Sequence, residues 1–232
     1  MTEALPDTGT PGHFEEFGCD TADLYFVHNL LRSVFGDAPA LVRGVADGDI
    51  ARAWIVSDHL LEISEWLRDH HQTEDDELWQ RLEQRDAGSA PVVSRMKAAH
   101  ASIAELLDRF TAALREWRVN ASSSEREAVL AAAEQLLTAL NDHLADEEST
   151  MLPIATRTMT QVEWDRMGEL ARAKVPGDRL FIQLGFLLAS MPAADRDRWK
   201  KDFLPGSARL AYDLVGRLQF EKHRKLVYGD AA

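Results

Sequence analysis

From Asp20 onward, apolar residues return every three or four positions, the spacing of amphipathic helices rather than the every-second-residue alternation of strands. The periodicity predicts a helix over 20–36 that bends past Pro39 to about 45, and a second over 49–84 after the turn Asp47-Gly48-Asp49. A third is expected from Pro91 to about 118 and a fourth over 124–158. Pro91 suits a first helical turn, and Ser124 with Glu127 reads as a capping box for the fourth helix. Short connections between the four imply antiparallel neighbours. A second capping box, Thr160 with Glu163, opens a fifth helix that ends before Pro176-Gly177, and further helices are expected at about 179–190, 194–203 and 207–227. Residues 1–18, with Pro6, Gly9, Pro11 and Gly12, read as a disordered leader. The expected organisation is all-α: an antiparallel four-helix bundle over 20–158 and a C-terminal helical extension over 160–232 packed on it.

The stripes carry residues that do not suit a core. The third helix reads Val93, Met96, His100, Ile103, Leu107, Phe110, Leu114 along its apolar face. The second reads Val56, Leu60, Ile63, Leu67, His70, Glu74, Leu78, and the fourth Val129, Leu136, Leu140, His143, Glu147, Met151. The first reads Leu24, His28, Leu31, Phe35. Each helix thus turns one histidine inward, and two of them add a glutamate one turn later. His28 precedes His70 by 42 residues and His100 precedes His143 by 43, and both intervals end in His-x-x-x-Glu followed by a further acid, Asp75 or Glu148. The chain reads as one two-helix unit used twice.

Residues four apart share a helix face one turn apart, so His70 with Glu74, and His143 with Glu147, can grip one cation or two adjacent ones. A lone inward histidine is usually a hydrogen-bonded core residue. Four at a repeated interval, with two glutamates and no Lys or Arg in the stripes to neutralise them, are not, because a buried unpaired carboxylate is very costly. A metal pair held by His28, His70, Glu74, His100, His143 and Glu147 answers the problem. Imidazole with carboxylate suits iron, with manganese or zinc also admissible. Six protein ligands leave open positions for oxygen, peroxide, nitric oxide or a bridging hydroxide.

Composition narrows the rest. A net charge of -13 argues against nucleic acid as a partner. The charge is uneven: residues 1–159 carry 13 basic and 29 acidic side chains, whereas 160–232 carry 13 basic and 10 acidic. Either the extension docks by charge on the acidic part, or its surface composition has simply drifted. The single cysteine, Cys19, excludes an intramolecular disulfide and fits a reducing compartment. The polar N-terminus is unlike a signal peptide, and the most apolar run, Leu180–Met191, is too short to span a membrane, so a cytoplasmic protein is expected.

The motifs His70-His71-x-x-Glu74-Asp75 with Leu78-Trp79, and His143-x-x-x-Glu147-Glu148 with Leu152-Pro153, together with His28 and His100, resemble the hemerythrin-like family over roughly 20–158. The resemblance implies an HHE cation-binding four-helix bundle around a non-haem di-iron centre, and the segment from Thr160 resembles the extension of a bacterial subgroup. Two positions depart from the oxygen carriers of the family. Ala104 stands where they have a second histidine on the third helix, and Glu147-Glu148 stand where they have an aspartate five residues after the fourth-helix histidine. The departures move the expectation from simple oxygen carriage toward redox chemistry, sensing or iron handling.

His71 is the natural substitute ligand, but it is about 100° around the helix from His70. A ligand, a supporting role and a surface role all remain open for it. Asp75 and Glu148 either hydrogen-bond ligand imidazoles or face solvent. Tyr25, one turn before His28, either approaches the metal pocket or packs in the core or at the surface. His59 lies about 16 Å along the axis from His70, too far for the same centre. His13 and His223 are expected to be exposed, and Trp54, Trp66 and Trp79 to pack in the core or at its rim.

Three functions fit. The first is a di-iron protein that binds, senses or reduces oxygen, nitric oxide or hydrogen peroxide, or handles iron. The second is an enzyme, a peroxidase or catalase-like protein, a nitric oxide reductase or an oxygenase on an unknown small molecule. The third is a metal-stapled interaction module. A monomer or a homodimer is expected, the extension either covering the metal pocket or forming a dimer interface.

Overall fold

The computed structural model describes residues 16–229; most of the expected leader, with His13, lies outside the described residues. The described residues contain no β-strand, and none of their helices is long and apolar enough to cross a membrane. Four helices make the bundle: α1 (Ala22–Gly36), continued around Pro39 by the short α2 (Ala38–Arg43); α3 (Ile50–Glu77), continued past Leu78 by α4 (Trp79–Arg85); α5 (Ala90–Asn120); and α6 (Ser123–Asp146), which passes through a π-helical turn (Glu147–Met151) into α7 (Leu152–Thr158). The extension follows as α8 (Gln161–Lys174), α9 (Leu180–Ser190), α10 (Ala193–Phe203), α11 (Gly206–Ala211), a second π-helical turn (Tyr212–Gly216) and α12 (Arg217–Tyr228).

Local chemistry sets the ends. Asp49 accepts from the Arg52 amide at the start of α3, and the Thr160–Glu163 capping box closes in both directions at the start of α8. The cap of α6 is Ser122, accepting from the Glu125 amide, rather than Ser124 with Glu127. Ala121 takes the left-handed conformation (φ 52°) that ends α5, leaving Ser122 the first residue with the extended backbone a cap needs. A run of three serines hides that register in the sequence.

His28 and His100 sit in the early turns of α1 and α5, whereas His70 and His143 sit near the far ends of α3 and α6. All four meet at one level, so successive helices run in opposite directions. Above and below that level lie separate apolar clusters. The larger includes Leu31, Phe35, Leu60, Phe110, Trp117 and Leu140; the smaller includes Leu78, Trp79, Met96, Met151 and Trp164. Burying each such large side chain contributes about 1.5–3 kcal/mol, and these clusters hold the helices against the cost of the polar layer between them.

The extension docks on the α1–α3 face. Ile182 and Phe186 of α9 and Phe220 and Val227 of α12 join the larger core cluster. α9 and α12 approach closely at Gly185, where a Cβ would run into the Phe220 ring. Of its basic residues, Arg179 pairs with Glu62 and Lys174 donates to the Asp69 carbonyl, while Lys200 and Arg217 pair within the extension. Apolar contact, more than net charge, holds it in place.

Candidate metal centre

Five histidines and two glutamates converge between the two apolar clusters. α1 supplies His28; α3 supplies His70, His71 and Glu74; α5 supplies His100; α6 and its π turn supply His143 and Glu147. They fall into two groups, within each of which one ligand atom per residue lies within 4.8 Å of the others: His28, His70, Glu74 and Glu147, and His71, His100 and His143. The carboxylates lie between the groups. Glu74 Oε1 is 3.4 Å from His70 Nε2, and its Oε2 is 3.5 Å from His100 Nε2. Glu147 Oε2 is 3.4 Å from His28 Nε2 and 3.6 Å from His143 Nε2. His100 Nε2 and His143 Nε2 stand 3.2 Å apart.

All four carboxylate oxygens of Glu74 and Glu147, and Nε2 of His28, His70 and His71, are buried without a hydrogen-bond partner. Each such group costs about 1–3 kcal/mol, more when charged. Two donors bound to one cation at about 2.1 Å and at right angles stand about 3 Å apart, close to the spacings here. The donor set therefore fits cations.

Electrostatics agree. Burial holds His70 down to about 3 and His143 to about 4, and pushes His71 well below its usual range, so these imidazoles are neutral with lone pairs free. Burial and the neighbouring Glu147 charge push Glu74 well above the usual carboxylate range. Burial would raise Glu147 as well, but the imidazoles around it, His28 at 3.4 Å first among them, hold it down to about 2. Two buried carboxylates side by side cannot both keep a charge without a cation nearby.

Two acids orient the histidines from outside. The Nδ1 of His28 is 2.8 Å from Glu148 Oε1, which also accepts from Arg32, and the Nδ1 of His100 is 2.8 Å from Asp75 Oδ1, which also accepts from Trp79 Nε1. An Nδ1–H donated outward leaves Nε2 as a lone pair aimed inward. The turns that follow differ from regular helix: Leu78 interrupts the path from α3 to α4, and Glu147–Met151 form the π turn, a feature that recurs at functional sites.

The remaining sequence-derived candidates divide. His71 stacks on His100 with ring centroids 4.0 Å apart, and Ala104 leaves beside them a groove also lined by Arg68, Lys97 and Asp75. Tyr25 is 42% exposed and does not approach the centre, because it stands about 60° around α1 from His28 on the outer side. His59 is buried against Phe186, and His223 is not free at the surface: its Nε2 lies 3.4 Å from His59 Nδ1, where α12 meets α3. The apolar faces of the extension give no sign in the sequence of that docking partner. Trp54 packs at the rim under Arg118, and Trp66 and Trp79 are buried. Cys19 is buried with its thiol donating to the Ala155 carbonyl, and burial pushes it up to about 11, so it is inert rather than a ligand.

A helical bundle with a buried layer of inward imidazoles and carboxylates is, as a class, a cation-binding bundle. The family model of the hemerythrin HHE cation binding domain matches residues 20–155, more than half of the sequence, and the chain belongs to that family. No curated protein and no solved structure matches it.

Proposed function

We propose that the chain holds two iron ions in this layer, and that the His28–His70 side binds dioxygen, nitric oxide or hydrogen peroxide. The observation that carries this reading is the unequal division of donors. One group has three imidazoles and the other two, and Glu74 and Glu147 stand between them. The side with fewer imidazoles has more coordination positions to spare, and a cavity of about 250 Å3 reaches His70 and Glu74 there, while the groove beside His71 and His100 flanks the other side. Bound iron would supply electron exchange with such ligands. The protein supplies the rest: His70, His71 and His143 present neutral nitrogens, His28 and His100 aim Nε2 inward beside them, and Asp75 and Glu148 sit on the outward Nδ1 of His100 and His28. Loading the site would displace the proton that burial favours on Glu74.

Metal analysis by plasma mass spectrometry on protein purified without a histidine tag tests the reading. About two irons per chain are expected. No metal, or zinc alone, after expression with ample iron would sink it. A spectral change on exposing the reduced protein to oxygen or nitric oxide, without turnover, would mark a carrier or sensor. Peroxide consumption lost in His100→Ala would mark an enzyme.

A further inference from the structure

The cavity beside His70 and Glu74 is larger than a two-atom ligand requires. An apolar cavity of about 150 Å3 accommodates benzene, so 250 Å3 has room for about ten non-hydrogen atoms. Its walls come from two parts of the chain. The bundle contributes Leu24, Val27 and Trp66 around the metal-facing groups. The extension contributes Trp164 from α8, Leu184 and Leu187 from α9, and Phe203 from α10. Protein interiors pack at a density of about 0.74, and docking three helices on the bundle could have closed this space. Large apolar side chains, with Asp69, Arg172 and Gln183 at the edge, instead line a partly open pocket that reaches His70. Among the cavity's lining residues outside the metal-facing groups, Trp199 of α10 carries an indole N–H that has no partner and lies just beneath the cavity surface. Buried donors in native proteins almost always have one.

We propose that this cavity binds an apolar organic molecule of about ten non-hydrogen atoms that carries one hydrogen-bond acceptor. Its body lies between the α1–α3 face and the extension, and its acceptor meets the Trp199 N–H as the indole turns into the cavity. The assignment rests on the function proposed above for its purpose, which is to hold an organic co-substrate beside the small ligand at His70; the binding itself does not need the ions. The extension is then the part of the chain that selects the organic partner.

Calorimetric titration of the full, tag-free chain with 1-indanone, a ten-atom ketone, and with indane, which lacks the carbonyl, tests this, with metal content measured on the same samples. One saturable site is expected, with 1-indanone binding about threefold to tenfold tighter than indane. Ala171→Phe places a ring in the cavity wall and is expected to weaken both at least tenfold, with helix and metal content unchanged. Trp199→Phe keeps a ring and removes the donor, so 1-indanone should fall to the level of indane while indane is unaffected. That ratio decides the matter even if Ala171→Phe does not fold. Absence of saturable binding, or binding indifferent to both substitutions, overturns the assignment and leaves the metal reading standing if iron is present. Binding as expected in a chain that carries no metal overturns the metal reading and leaves the organic site.

Discussion

The α1–α3 unit and the α5–α6 unit repeat one design, yet they do not serve the centre equally. His28 corresponds to His100, His70 to His143, Glu74 to Glu147 and Asp75 to Glu148, and each outer acid holds the Nδ1 of a histidine on another helix at 2.8 Å. The correspondence fails at one place. His71 in the first unit has Leu144 in the second, and Leu144 is fully buried in the larger core cluster. A duplicated scaffold would give two equivalent cation positions; one histidine in place of one leucine makes them inequivalent. The extension widens the difference, because it covers only the α1–α3 face.

The largest effect should come from the residues both positions share. Glu147→Ala and Glu74→Ala are each expected to bring metal content from about two per chain to near zero, read by plasma mass spectrometry. Loss of only one ion in either variant would show that the carboxylates do not serve both groups. The next largest effect restores the symmetry. His71→Leu should weaken one ion at least tenfold and leave the other, whereas Leu144→His should keep both ions and abolish the spectral response to small ligands. A smaller effect compares the outer acids: Asp75→Asn and Glu148→Gln should each cost about tenfold to a hundredfold in metal affinity. A clear inequality between them would mean that Arg32 beside Glu148 matters as much as the acid itself.

The smallest effect lies outside both units. The Arg85 hydrogen bond holds Glu163 down to about 2 from an ordinary 4.5. A carboxylate depressed in the folded state contributes stability above its unfolded pKa and loses it as the pH falls through the folded one. Glu163→Gln should therefore be less stable by about 1 kcal/mol near neutrality. The gap to the parent should shrink between pH 4.5 and pH 2 in thermal melts, without change in metal content.

The inward stripes were legible because 3.6 residues per turn leave no doubt about which positions share a face: His28, His70, Glu74, His100, His143 and Glu147 all lie on stripes readable from Leu, Ile and Val neighbours, and the structure brings the six together. His71 was not decidable. Its place depends on how far α3 rotates about its own axis, which packing against α5 sets and local sequence does not. The doublet His70-His71 was a signal, since the other unit has His143-Leu144. Tyr25 lies one residue off the stripe, and of the places open to it the structure gives the surface. The cavity was invisible, because its second wall comes from helices whose apolar faces do not say what they cover.

The bundle opens and closes at a single point. The Gly18 amide donates to the Met159 carbonyl, Cys19 to Thr156 and Asp20 to the Gln161 side chain, so the strand-like bridge between Gly18 and Thr160 buckles the first residue of the bundle to its last. Read as wiring, the ligand-bearing part is a loop whose two leads leave side by side. Ends placed so close are the geometry that domain insertion and circular permutation require, with every histidine still on its own helix, and a cassette cut there would need a new cover for the α1–α3 face that the extension now buries.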